Sequence, residues 1–327
     1  MSEKSTLLIV DDEPVARLTL KALLSGGDYL LEFAENGPNA LRLAADRIPD
    51  LILLDVMLPG MDGYEVCRRL RADPLLAEVP VMMISSLEDH DSRLQGFEAG
   101  AEYFISKPFD AIELQSQIRT VTQLNRYRHM QEQLEIAYDL TLEGFVKALG
   151  QRHRESMEHT MRLIKVTEKL ARRMGMLENQ LPNMRRGALI HDLGKIGIPD
   201  AIHLKEGPLT PEEWEIMRQH PLKSAEILGH IGYLGPAIEI ALYHHERWDG
   251  TGYPKNLKGE EIPFPARLFA IVDVWEALSS ERHYRARKCW TPEEIRAYIV
   301  KESGKHFDPQ VAAAFLALLD ENPDPSQ

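Results

Sequence analysis

The run Leu51-Ile52-Leu53-Leu54 contains no polar position and ends directly on Asp55. A strand of that pattern leaves no face for water, so it belongs to a sheet covered on both sides. Similar short apolar or β-branched runs stand at Thr6–Val10, Leu30–Ala34, Val79–Ser85 and Tyr103–Ile105. The stretches between them, such as Pro14–Leu24 and Asn39–Asp46, carry helical spacing. Five strands alternating with helices predict an α/β fold: a doubly wound, five-stranded parallel sheet with right-handed crossovers.

In such sheets, sites form at the carboxyl ends of the strands. Here those ends carry Asp11-Asp12, Asp55, Ser85 and Lys107-Pro108. Any one of them alone reads as an ordinary turn or cap residue. Together they describe a cleft. Three converging carboxylates repel one another and need a cation, and an all-oxygen set suits Mg²⁺, which also holds phosphate oxygens. Asp55 then has the environment of a carboxylate nucleophile toward a phosphoryl group. Lys107 balances the added charge, and the Ser85 hydroxyl donates to a phosphoryl oxygen.

The segments Val10-Asp11-Asp12-Glu13-Pro14, Leu54-Asp55-Val56-Met57-Leu58-Pro59-Gly60-Met61-Asp62-Gly63 and Lys107-Pro108-Phe109 resemble the receiver domain of response regulators, which is flavodoxin-like. The resemblance spans residues 1–122. It implies that Asp55 accepts phosphate from a histidine kinase, with Asp11, Asp12, Asp55 and the Met57 carbonyl around Mg²⁺. Ser85 and Phe104 match the hydroxyl and aromatic switch positions, and Lys107 belongs with them in the switch. Glu102-Tyr103 stand where relatives often have two acidic residues.

No proline interrupts Ala111–Leu149, and Leu114, Ile118, Val121, Leu124, Leu134 and Tyr138 recur at mostly three- or four-residue steps. This predicts a long helix, with residues 123–142 as a connector. Gln131–Glu135 weakens the apolar stripe. Two readings stand: a solvated spacer, or a two-stranded parallel coiled coil joining a homodimer and transmitting the receiver's state.

The second half, residues 143–327, reads as mainly helical, with periodic apolar positions in Phe145–Leu149, Met161–Met174, Trp214–Leu228, Ala237–Tyr243 and Ala266–Leu278. Its histidines and carboxylates are the informative part. Glu155 and His159 share one helical face. His191-Asp192 follow the apolar Gly187–Ile190, His220 precedes Pro221, His244-His245 close Ala237–Tyr243, and Asp273 lies inside Leu268–Leu278. A lone histidine is most often a surface or core residue. Imidazoles in company with carboxylates, and without thiolates, favour Fe or Mn over a structural zinc. Two ions bridged by a carboxylate are the usual device for in-line attack on a phosphodiester, because they activate water and stabilise the leaving oxygen.

The segments His191-Asp192-Leu193-Gly194-Lys195-Ile196-Gly197-Ile198-Pro199 and His244-His245-Glu246-Arg247-Trp248-Asp249-Gly250-Thr251-Gly252-Tyr253-Pro254 resemble the two signatures of HD-GYP domains. Asp273-Val274-Trp275-Glu276-Ala277-Leu278-Ser279-Ser280 and His306-Phe307-Asp308-Pro309 agree with them. The resemblance implies an all-α HD-type domain that hydrolyses cyclic di-GMP to pGpG, GMP or both. It implies His159, His191, Asp192, His220, His244, His245 and Asp273 as ligands of two Fe or Mn ions, with Glu155 matching the extra carboxylate of three-metal members. Lys195, Tyr253, Arg282 and Arg285 match substrate-contacting positions. The chain departs from the family at Glu276, often Asp, at His283, often Pro, and at Ser156-Met157, where a glycine is usual.

The net charge of −13 opposes a general DNA-binding role, which needs a basic surface. Only Cys67 and Cys289 are present, with no disulfide spacing. The start of the sequence shows no signal-peptide pattern, and no apolar run approaches the ~18 residues of a membrane span. These features predict a cytoplasmic protein without a membrane partner. Two function classes follow: a phosphorylation-controlled phosphodiesterase, or a catalytically weak cyclic di-GMP sensor. In the second, the loop around Tyr253 contacts a diguanylate cyclase or adaptor.

Overall fold

The computed structural model describes residues 4–86, 90–153, 157–280 and 289–326. The chain divides into two units, Met1–Glu135 and Ile136–Gln327.

In the first unit the five predicted strands form: β1 (Ser5–Val10), β2 (Tyr29–Ala34), β3 (Leu51–Asp55), β4 (Val81–Ser85) and β5 (Tyr103–Ser106). They alternate with α1 (Pro14–Leu24), α2 (Gly37–Asp46), α3 (Gly63–Ala72), α4 (His90–Glu98) and the start of α5 (Ala111–His153). The sheet order is β2-β1-β3-β4-β5 and every pairing is parallel. Register aligns Val10 with Leu54 and Asp55 with Ile84, which brings the acidic strand ends to one edge.

The all-apolar strands have the predicted physical cause. Leu51 and Leu53 pack with Leu20, Leu24 and Ile118, whereas Ile52 and Leu54 pack with Val66 and Leu70. Alternate residues of β3 thus enter two cores, one under α1 and α5, the other under α2 and α3. The strand expected over Val79–Ser85 begins at Val81, because Pro80 has no N–H to offer the ladder.

Helix α5 is continuous over 43 residues, as the absence of proline predicts. The second unit continues with α6 (Met157–Arg173), α7 (Leu181–Ile190), α8 (Asp200–His203), α9 (Pro211–Met217), α10 (His220–Leu228), α11 (Gly235–Tyr243), α12 (Phe264–Ser279), α13 (Pro292–Glu302) and α14 (Pro309–Glu321). Among the described residues this unit has no β-strand beyond an isolated bridge between Ser303 and Phe307.

The periodic run Trp214–Leu228 is two helices, not one. Thr210 and Glu213 form a capping box that starts α9, and Pro221 in the first turn of α10 starts the second. One core serves the unit, with Leu163, Ile240, Phe269, Trp275 and Phe315 at its centre. Gly187 lets α7 and α11 approach, since a Cβ there would stand 2.4 Å from the Ile240 side chain. That approach sets the ends of these two helices, where His191-Asp192 and His244-His245 lie, beside each other.

Candidate functional site

At the sheet's carboxyl edge, Asp11, Asp12 and Asp55 each offer an oxygen within 4.8 Å of the others. Asp11 and Asp55 are buried and Asp12 is exposed. Lys107 Nζ donates to Asp11 Oδ2 at 2.9 Å and to Asp55 Oδ2 at 2.5 Å. The Met57 N–H donates to Asp55 Oδ1 at 3.1 Å, while its side chain is exposed. Burial pushes the Asp55 carboxyl up, against the opposing pull of the Lys107 bond. Burial would lower Lys107, but its bonds to the two carboxylates hold it above the ordinary lysine value. Ser85 is buried at the end of β4, and Phe104 lies half-buried on β5 with the Arg93 guanidinium 5.5 Å from its ring centre. The geometry is that of an acidic cation site with a lysine already supplying one positive charge.

In the second unit the donors sit at helix ends. His191 and Asp192 follow α7, His220 opens α10, and His244 and His245 follow α11. Asp192, His220, His244 and His245 each offer a ligand atom within 4.8 Å of the others. His191 flanks them, with Nε2 3.2 Å from Asp192 Oδ2 and its ring 5.4 Å from that of His244. Asp273 lies on α12, close enough for its charge to act on His191 and His244. His159 on α6 pairs its Nδ1 with Glu276 Oε1 at 2.9 Å. Glu155, Arg282 and Arg285 lie outside the described residues.

Hydrogen bonding orients the imidazoles. Nδ1 of His191 faces Ala188 O at 2.9 Å, Nδ1 of His220 faces Met217 O at 2.9 Å, and Nδ1 of His244 faces Ile240 O at 3.0 Å. A carbonyl only accepts, so each Nδ1 carries a proton, and the neutral rings of His220 and His244 present Nε2 as a lone pair. His220 Nε2, His244 Nε2 and Asp192 Oδ1 are buried and have no hydrogen-bond partner among the described residues. Three converging buried acceptors without donors would be costly in a finished site. A divalent cation satisfies all three at once, so the residues present fit a metal.

Electrostatics agree with ligand duty. Burial lowers His220 and His245, and drives His244 down to about 3, keeping these rings neutral. His191 differs: burial would lower it, but the neighbouring Asp192 carboxylate raises it to about 9, so without a cation this ring is protonated and gives up a proton to become a ligand. Burial would raise Asp192, yet the charges of Lys195 and His191 hold it well below the carboxylate range. Lys195 Nζ is bonded to Asp192 Oδ2. Tyr253 stacks on His245 with ring centres 4.7 Å apart, and burial raises its hydroxyl above the ordinary tyrosine value.

Two buried carboxylates carry roles the sequence does not announce. Glu276, singled out above only as a departure, is 1% exposed and bonds Ser280 Oγ at 2.6 Å as well as His159. Glu246 accepts from Lys255 N at 2.6 Å and Leu257 N at 3.1 Å, which folds the loop bearing Tyr253 back on itself. Gly252 is required by that fold, because a Cβ would fall 2.3 Å from Arg247 N.

Residues 7–119 match the response regulator receiver domain family, and residues 145–311 match the HD domain family. Among similar proteins, the cyclic di-GMP phosphodiesterase response regulator RpfG of Xanthomonas campestris pv. campestris is 33% identical, over 96% of this chain and 89% of its own length. A cyclic di-GMP phosphodiesterase of Thermotoga maritima is 36% identical, over 98% and 92%. A probable cyclic di-GMP phosphodiesterase of Vibrio cholerae is 34% identical, over 95% and 77%.

Proposed function

This chain belongs to the response regulators that join a receiver domain to an HD domain, and from that premise we propose that it is a phosphorylation-controlled, metal-dependent phosphodiesterase of the HD-GYP type that hydrolyses cyclic di-GMP to pGpG, GMP or both. The observation that carries the reading is the meeting of Asp192, His220, His244 and His245, with Asp192 Oδ1, His220 Nε2 and His244 Nε2 buried and unsatisfied. The relatives' activity supports the same substrate.

In this reading, residues 1–122 are the receiver, 123–142 the connector and 143–327 the HD-GYP domain. His159, His191, Asp192, His220, His244, His245 and Asp273 hold two Fe or Mn ions, and Glu155 serves a third. When bound, the ions supply an activated water and charge for the leaving oxygen. Asp192 lies among the imidazoles with Lys195 holding its orientation, and would offer its carboxylate to the ions. Lys195, Tyr253, Arg282 and Arg285 bind the substrate's anionic and aromatic parts. Backbone carbonyls hold the Nδ1 proton of His220 and His244, so these two rings would need no reorganisation to act as ligands.

A histidine kinase phosphorylates Asp55 in the presence of Mg²⁺, and the change in receiver packing passes along α5. A homodimer through the exposed apolar positions of α5, a cyclase or adaptor contact at the Tyr253 loop, and a cytoplasmic location complete the reading. The deciding experiment loads purified protein anaerobically with Fe or Mn and follows cyclic di-GMP by chromatography, with Asp55 phosphorylated and not. Turnover in either state supports the enzyme. Tight binding without turnover in both would replace it with a sensor.

A further inference from the structure

Every other arginine of the helical unit whose side chain is described stands within ion-pair distance of a carboxylate. Arg218 is the exception among the described residues. Its one recorded side-chain interaction is with an aromatic face: its guanidinium carbon lies 5.5 Å from the centre of the Tyr253 ring. In a chain of net charge −13, a cation left without a carboxylate is conspicuous.

Its place is equally specific. Arg218 caps α9 and opens the turn into α10, two positions ahead of His220, and its N–H is tied to Trp214 O at 2.9 Å. Tyr253 stacks on His245, and His245 meets His220 with ring centres 5.0 Å apart. A stack of Arg218, Tyr253 and His245 therefore runs from solvent to the metal-ligand cluster. Lys195, assigned above to the substrate, shares its charge with Asp192, whereas Arg218 shares its charge with no carboxylate among the described residues. A guanidinium resting on a phenol ring keeps its N–H edges free for a planar two-oxygen acceptor, and phosphate is the acceptor that geometry suits.

We propose that Arg218 is a substrate-binding residue, giving a two-point hydrogen bond to phosphate oxygens of the phosphodiester at the mouth of the site. The inference rests on the phosphodiesterase reading above and adds a contact that the sequence motifs do not contain. Because Arg218 is exposed, it takes up the anion without first giving up a protein partner.

The test uses the full-length metal-loaded protein and two probes, cyclic di-GMP and bis(p-nitrophenyl) phosphate. Arg218→Gln should raise KM for both about tenfold, the lower range for losing a charge-assisted hydrogen bond. Its kcat, metal content and melting temperature should stay near wild type. Arg218→Lys, which keeps the charge and loses the fork, should fall between them, and it decides the matter if the glutamine variant does not fold. Added salt should weaken wild-type binding more than that of R218Q.

Unchanged KM for both probes in a folded R218Q overturns the proposal. Loss of metal in R218Q also overturns it, since the side chain would then act by placing His220. If metal-filled wild type ignores cyclic di-GMP but cleaves bis(p-nitrophenyl) phosphate, the nucleotide assignment fails while the KM comparison on the second probe still decides Arg218. Inactivity of the metal-filled wild type on both probes overturns the two together.

Discussion

His220 Nε2 stands 3.3 Å from Asp192 Oδ1, and neither atom has a hydrogen-bond partner among the described residues. Nδ1 of the same ring is committed to Met217 O. A neutral imidazole so oriented turns a lone pair toward a carboxylate oxygen, an arrangement that is unfavourable by itself and favourable around a cation. His220→Ala and Asp192→Ala should therefore each lower bound Fe or Mn per chain, measured by elemental analysis. Hydrolysis should fall by at least ~100-fold, the upper range for losing even an outer partner of a metal ligand. Full metal content in both variants would show that the cluster is not the ion site.

Lys107 holds the receiver's acidic cleft together by bonding Asp11 and Asp55 at once. Lys107→Ala leaves these carboxylates facing each other without compensation and should cost the metal-free receiver about 1–3 kcal/mol, reduced from the value for a fully buried pair because Lys107 is 26% exposed. Mg²⁺ supplies the missing charge, so the variant should gain more thermal stability from added Mg²⁺ than wild type does. Calorimetry with and without Mg²⁺ checks this, and equal gains in the two proteins would count against it.

The receiver was nearly complete in its sequence, because an all-apolar strand ending in Asp states its environment and its exit together. Asp11, Asp55 and Lys107 meet as expected since a parallel sheet gathers the ends of β1, β3 and β5 at one edge. The helical unit was less legible. Its donors lie at the ends of helices that are distant in sequence, and periodicity locates helices without saying which ends meet. The break at Arg218-Gln219, just ahead of His220-Pro221, was hidden in what read as one apolar run. Glu276 and Glu246 carry no local pattern, since a buried carboxylate in a helix or loop is recognised only by the groups packed against it. Arg218 gave no signal at all, because its meaning lies in a missing partner.

Asp139, on α5 within the helical unit, accepts from Arg186 Nε at 2.6 Å and Tyr233 at 2.6 Å. Burial alone would raise its carboxyl, but these bonds hold it below the ordinary value of 3.8. A carboxylate depressed in the fold contributes stability that is complete above its unfolded pKa and is lost as pH falls through the lower folded value. Asp139→Asn should thus cost about 1 kcal/mol near neutrality, a figure suited to a partly exposed ion pair, and should flatten the loss of stability below pH 3.8. All four tryptophans lie after residue 136, so fluorescence-detected urea midpoints against pH report this unit. Parallel acid limbs in the two proteins would remove Asp139 from the account.

Gly194 links Asp192 to His220 without offering a ligand atom itself. A Cβ at this position would fall 2.0 Å from His220 O and 2.5 Å from Ser224 N, both backbone atoms that cannot rotate away. The Gly194 N–H also donates to Ser224 Oγ at 2.8 Å. The turn after Asp192 is thereby pressed against the start of α10, and that contact sets the spacing of Asp192 from His220. Gly194→Ala should push the turn and α10 apart, at about 1–3 kcal/mol for overpacking, and widen the ligand spacing. Metal affinity should fall in proportion to a displacement that changes no ligand. Titration of Mn²⁺ into the metal-free variant, alongside its urea midpoint, separates the two effects. A variant that is less stable yet binds Mn²⁺ as wild type does would mean that the cluster tolerates the shift, and that Gly194 serves packing alone.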